Sequence, residues 1–135
     1  MRIYIAGPMK GIPQRNYPAF YAAAAAWEAA GHIVLNPASV DEGGNMTWED
    51  CMRASMRLLS TADAVAVLRG WKRSTGAKIE VYAARSFKWH VYDANKPNDL
   101  TEILDPIPYL RLWATAYLLL LVDRTMRAGR RVLGR

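Results

Sequence analysis

At 135 residues, with 52% hydrophobic and 22% charged side chains, the chain has the size and composition of one globular domain with a real core, which excludes a disordered or low-complexity protein. Its single cysteine, Cys51, excludes an internal disulfide framework and suits a reducing, cytoplasmic compartment; a buried helix residue is a plainer reading of it than a nucleophile. The net charge of +6 points toward nucleic acid, but five arginines and no acid fall in residues 124–135, while residues 1–123 hold 13 basic and 12 acidic side chains. A basic tail on a near-neutral body adds weak, salt-sensitive polyanion contact, so no specific nucleic-acid partner is expected.

The N-terminus, MRIYIAGP, moves straight into a strand and a turn, so no signal peptide is expected. The pattern predicts a strand over Arg2–Ala6, a loop over Gly7–Asn16 with two glycines and two prolines, and an alanine-rich helix over Tyr17–Ala30 that Gly31 ends. A second strand is predicted over His32–Leu35, then a polar loop over Ser39–Met46 with Gly43-Gly44. Thr47, with Asp50 three residues on, reads as the N-cap of a helix reaching about Ser60. Asp63–Leu68 reads as a third strand, apolar on both faces after its first residue, as in the centre of a parallel sheet. The loop Arg69–Gly76 leads into a further helix, and Trp89–Tyr92 is a fourth strand. After Pro97, Pro106 and Pro108 a last helix is predicted at about Tyr109–Met126. Its apolar run Leu112–Val122 is 11 residues, well short of the ~20 that span a bilayer, so a buried helix or a self-association surface is expected instead.

Strands alternating with helices imply βαβ units and a short parallel sheet with right-handed crossovers, in a single-domain flavodoxin-like (Rossmann-like) three-layer sandwich. The domain is expected over residues 1–127, with 128–135 as the basic tail. In such a sheet, ligands bind at the carboxyl ends of the strands where the strand order reverses. With the order 2-1-3-4, that crevice lies between strands 1 and 3, rimmed by Gly7–Asn16 and Arg69–Gly76. Glu80 falls close to it. The residues three and four positions away are Gly76, Ala77, Ala83 and Ala84, so this carboxylate shares a helix face otherwise made for close packing. A solvated glutamate is the commoner case; a buried one is costly unless it is paired or used.

Other motifs narrow the chemistry. AGPMKG follows a strand but matches neither the dinucleotide nor the P-loop pattern. In GWKRSTGA, Trp71 offers a stacking ring, Lys72 and Arg73 offer charge for an anion, and Ser74 and Thr75 offer hydroxyls at a helix N-terminus. His32 and His90 stand far apart in sequence with no ligand at metal spacing, so no metal is expected, and no GxSxG elbow is present.

Taken in order, IYIAGP, NYPAF, GHIVLNPA, ADAVAVL, LRGWKRSTGAKIEVYAA and VYDANKP resemble the nucleoside 2-deoxyribosyltransferase superfamily, and more narrowly its small branch common in bacteriophages and prophages. The resemblance covers residues 2–97. It implies cleavage or transfer at the N-glycosidic bond of 2′-deoxynucleosides, no cofactor, a small-molecule nucleoside or nucleotide partner, and a homo-oligomer, here through the C-terminal helix. It also implies a host or bacterial cytoplasm. The family's glutamate nucleophile lies in an S-x-G-x-x-x-E segment, matched by Ser74, Gly76 and Glu80. Tyr4 matches the strand-1 tyrosine that positions it. Gly7 and Pro8 of the AGP turn, Met9, Asn16, Asp63, Gly70 and Trp71 are the further expected substrate contacts, with Met9 and Trp71 about the base and Ser74 or Lys72 toward a 5′-phosphate. Ser55 stands where the family pattern MRxD has a substrate-holding aspartate. Two alternatives stay open at this point: a 2′-deoxynucleoside 5′-monophosphate N-hydrolase, and a non-catalytic nucleotide-binding module, for which Ser55 is the motive.

Overall fold

The computed structural model describes residues 1–40 and 44–104, which belong to one compact unit, Met1–Asp105. The expected helix at 109–126 and the boundary at residue 127 lie outside the described residues.

Four strands form the sheet: β1 (Arg2–Ala6), β2 (Ile33–Leu35), β3 (Ala64–Val67) and β4 (His90–Asp93). Their order is β2-β1-β3-β4 and every pairing is parallel. Parallel neighbours need long crossovers, supplied by α1 (Tyr17–Ala29), α2 (Trp48–Leu59) and α3 (Thr75–Ser86). β3 is buried at all four positions and β1 at all but its first, because both lie inside the sheet with helices on each side.

Strand alternation sorts the side chains between the two faces. Ile3, Ile5, Ala64, Ala66 and Tyr92 pack with Phe20, Ala23, Ala24 and Trp27 of α1. Those α1 positions repeat at intervals of three and four, so one small-residue face lets the helix lie close on the strands. Trp27 Nε1 donates to the Ala94 carbonyl at 2.9 Å, tying α1 to the end of β4. Tyr4, between Ile3 and Ile5, points to the opposite face, where α3 lies. The result is a Rossmann-like α/β fold with helices on both faces of the sheet.

Local chemistry explains the ends of the helices. Thr47 caps α2 by accepting from the Asp50 amide at 3.2 Å, and Ser74 caps α3 by accepting from the Ala77 amide at 3.2 Å. The Ser74 cap starts α3 at Thr75, so Gly76, expected in the loop, lies in the first helical turn. Gly31 follows α1 with φ +87°, the left-handed geometry that closes a helix. No helix among the described residues is long and apolar enough to cross a membrane.

Candidate active site

β1 and β3 deliver their carboxyl ends side by side, Ala6 opposite Val67, and the loops that follow diverge to open a cleft of about 1140 Å³. Pro8 and Lys10 from the β1 loop line it, as does the whole run Arg69–Gly76 from β3 into α3. Asp93 at the end of β4, Asn95 just beyond it, Ile103, and Trp48 at the start of α2 also contribute. Gly70 has φ +86°, a conformation that favours glycine. It turns the chain so that Trp71–Arg73 can wind into a short 3-10 turn along the wall.

Below this wall sits a buried polar group. Tyr4 Oη donates to Glu80 Oε1 at 2.7 Å. Glu80 is 6% exposed and Tyr4 is fully buried. Glu80 lies four residues beyond Gly76 and so shares its helix face, one turn under the cleft. Ser55 of α2, also buried, lies near the Tyr4 hydroxyl and eases its ionisation. Ser55, Tyr4 and Glu80 therefore meet beneath the cleft, with Tyr4 donating to Glu80. Gly76 makes room for the approach of α2: a Cβ there would stand 3.1 Å from Met52 Sδ.

Electrostatics follow from this burial. Loss of water raises the Glu80 carboxyl from 4.5 to about 8, and the Tyr4 hydrogen bond pulls the other way. Tyr4 is pushed well above its ordinary value by burial and by the Glu80 charge, with Ser55 opposing. Tyr4 thus keeps its proton and remains a donor across the working pH range. Glu80 ionises near neutrality, in a setting where a carboxylate, once formed, is poorly solvated and reactive. Burial of a titratable pair beside a cleft is the arrangement expected of acid–base or nucleophilic chemistry.

The expected site residues divide three ways. Pro8, Gly70, Trp71, Ser74 and Gly76 line the cleft, and Lys72, Arg73 and Thr75 do so with them. Tyr4, Ser55 and Glu80 form the layer beneath and are absent from the described lining. Ser55, expected at the substrate, lies near Tyr4, on an α2 that packs against α3.

Four residues expected at the substrate serve the scaffold. Gly7 is needed for packing: an added Cβ would stand 2.8 Å from Leu68 Cδ1. Met9 packs, partly buried, against the α1-side core. Asn16 Nδ2 donates to the Pro8 carbonyl at 2.9 Å, bracing the β1 loop. Asp63 lies at the amino end of β3, away from the cleft, where Oδ2 accepts from the Arg2 amide at 2.7 Å.

Lys10 and Arg69 fall within the two rims expected from the sequence, whereas Trp48, Asp93 and Asn95 line the cleft without having been anticipated. Asp93 and Asn95 were legible in principle, since VYDANKP ends β4 and the carboxyl-end rule applies to that strand as well. Trp48 carries no such signal, as its place depends on how α2 folds back. No group of three His, Cys, Asp or Glu side chains that could hold a metal occurs among the described residues.

No curated protein and no solved structure matches the sequence. A family model described as a domain of unknown function (DUF4406) matches residues 1–93, a span that runs from β1 through β4 and contains Tyr4, Ser55 and Glu80. The chain belongs to the DUF4406 family.

Proposed function

We propose that the protein cleaves or transfers at the N-glycosidic bond of 2′-deoxynucleosides, as a nucleoside 2-deoxyribosyltransferase-like enzyme with Glu80 as nucleophile. One observation carries the reading: a buried glutamate, held through Oε1 by a tyrosine that cannot easily lose its proton, lies beneath a cleft at the carboxyl edge of a parallel sheet. With Oε1 engaged, Oε2 is the oxygen that attacks C1′. The C1′–N bond breaks as the C1′–O bond forms, the bonding pair leaves on the base, and the base takes a proton from solvent or an acid. In the second step the nitrogen of an acceptor base, or a water oxygen, attacks C1′, loses its proton and returns the Glu80 carboxylate. Two displacements retain the configuration at C1′. A 2′-deoxy sugar supports the developing cation better than a ribose does, so a positioned carboxylate is sufficient machinery.

A second reading, hydrolysis of 2′-deoxynucleoside 5′-monophosphates, is favoured by a different observation: Lys10, Arg69, Lys72 and Arg73 line the same cleft. Incubation with deoxynucleosides and their 5′-monophosphates, with and without an acceptor base and resolved by chromatography, separates the two. Exchanged nucleoside indicates transfer; free base from phosphorylated substrates alone indicates hydrolysis. Intact protein mass spectrometry should show a deoxyribosyl adduct on the wild type and none on Glu80→Gln. Normal exchange by Glu80→Ala would sink both readings.

A further inference from the structure

The charge of the described residues is unevenly placed. Twelve of them are lysine or arginine and eight are aspartate or glutamate; four of the former and one of the latter line the cleft, leaving eight basic and seven acidic side chains elsewhere. Most of the surplus positive charge of the described residues therefore sits at one opening, with Lys10 on one rim and Arg69, Lys72 and Arg73 on the other. Arg53–Asp50 and Lys96–Asp99 are ion pairs away from the cleft. The one acid in the wall, Asp93, already accepts from the Asn95 amide at 2.9 Å. Lys72 Nζ lies 5.9 Å over the Trp71 ring, which draws it along the wall. The first turn of α3 adds the Thr75 and Gly76 amides, which have no acceptor within the helix.

A single phosphate carries about −1.5 to −2 at neutral pH, and each added phosphoryl group brings more. Four cations drawn from two separate loops exceed the need of one phosphate but match a chain of two or three. The cleft, at about 1140 Å³, is at the upper end of the ~300–1,000 Å³ usual for small-molecule sites, which leaves room for the remainder of a nucleotide. Trp48, 44% exposed in the same wall, presents an indole on which a base can stack.

We propose that the cleft binds a nucleoside di- or triphosphate, with Lys10, Arg69, Lys72 and Arg73 on the phosphates and Trp48 against the base. The nucleoside portion of this ligand rests on the glycosyl reading above; the phosphate portion does not. Two consequences follow. Affinity rises with phosphate number, and the rise weakens with salt because all four cations are exposed.

Calorimetry on the full-length protein tests this with orthophosphate, pyrophosphate and tripolyphosphate. The same titrations follow with a deoxynucleoside and its mono-, di- and triphosphate. Glu80→Gln, which leaves the cleft wall intact, prevents turnover during the nucleotide titrations. Affinity should climb at least tenfold from monophosphate to triphosphate. Arg73→Ala and Lys10→Ala should each weaken the triphosphate about tenfold and leave the unphosphorylated nucleoside unchanged. Equal affinity for mono- and triphosphate, or a triphosphate affinity indifferent to both substitutions, overturns the proposal. Tripolyphosphate binding that depends on Arg73, together with no base release or exchange by the wild type from any nucleoside or nucleotide, would retire the glycosyl chemistry and leave the anion cleft standing.

Discussion

The layer beneath the cleft and the wall above it are built on opposite principles. Ser55, Tyr4 and Glu80 are buried and drawn from three different elements, with Tyr4 bonded to Glu80 in a dry setting. Lys10, Arg69, Lys72 and Arg73 are exposed, drawn from loops, and project toward solvent. In the first region desolvation dominates, so protonation is the variable and geometry is strict. In the second, charges act through water, so salt is the variable and individual side chains are replaceable. Chemistry needs the former and capture of an anion needs the latter; the fold stacks them one turn of α3 apart.

The sharpest break in this comparison is Glu80→Ala. It should lower base release or exchange by several powers of ten while nucleotide binding changes little, since the wall is untouched; rate and affinity measured on the same preparation check it. Tyr4→Phe should come next, with a loss of roughly 100-fold. It should also move the rising limb of the pH–rate profile upward, because the Tyr4 hydrogen bond opposes the effect of burial on Glu80. In the wild type, kcat/KM should rise with pH and level off above about 8, where the free enzyme holds Glu80 as carboxylate. A flat profile would remove Glu80 from the reaction.

Stability should move against activity. Folded Glu80 holds its proton up to about 8, whereas the unfolded side chain releases it near 4.5. The native state therefore binds the extra proton between these values. The contribution is complete below 4.5 and is lost as pH rises toward 8, by up to ~1.4 kcal/mol per pH unit. Urea melts across this range should show the decline, and Glu80→Gln should flatten it. Gly7→Ala should cost about 1–3 kcal/mol by overlap with Leu68, read in the same melts. The smallest effect is expected from Asp63→Ala: about 1 kcal/mol from the lost contact to the Arg2 amide, with kcat unchanged. A kcat loss there would mean that the amino edge of β3 takes part in the site.

Much of the fold was legible because its signals are local. Apolar runs, Gly31 after an alanine-rich helix, and Thr47 three residues before Asp50 each act within a few residues. The strand alternation also carried the sheet class, and with it the strand order that the structure shows. What the short-range signals misplaced were the strand ends by one residue or so and the start of α3, where the Ser74 cap overrode the glycine at 76. Within the site, residues on the β3–α3 segment were found because one continuous stretch builds that wall. The contacts of Gly7, Met9, Asn16 and Asp63 were not legible, since each depends on how the chain folds back: Leu68, the α1-side core, the Pro8 carbonyl and the Arg2 amide.

By itself, the sequence determined a parallel α/β sheet, a glutamate on a helix face otherwise made of glycine and alanine, and a polar loop leading into that helix. Periodicity and composition suffice for these, since they act along the chain. Only the tertiary structure decided that the glutamate is buried against Tyr4 and that Ser55 lies near the tyrosine. It alone brought Trp48 to the opening that the two loops rim. Burial, which shifts a carboxyl to about 8, comes from three elements closing over one point, and no single stretch of residues encodes that closure.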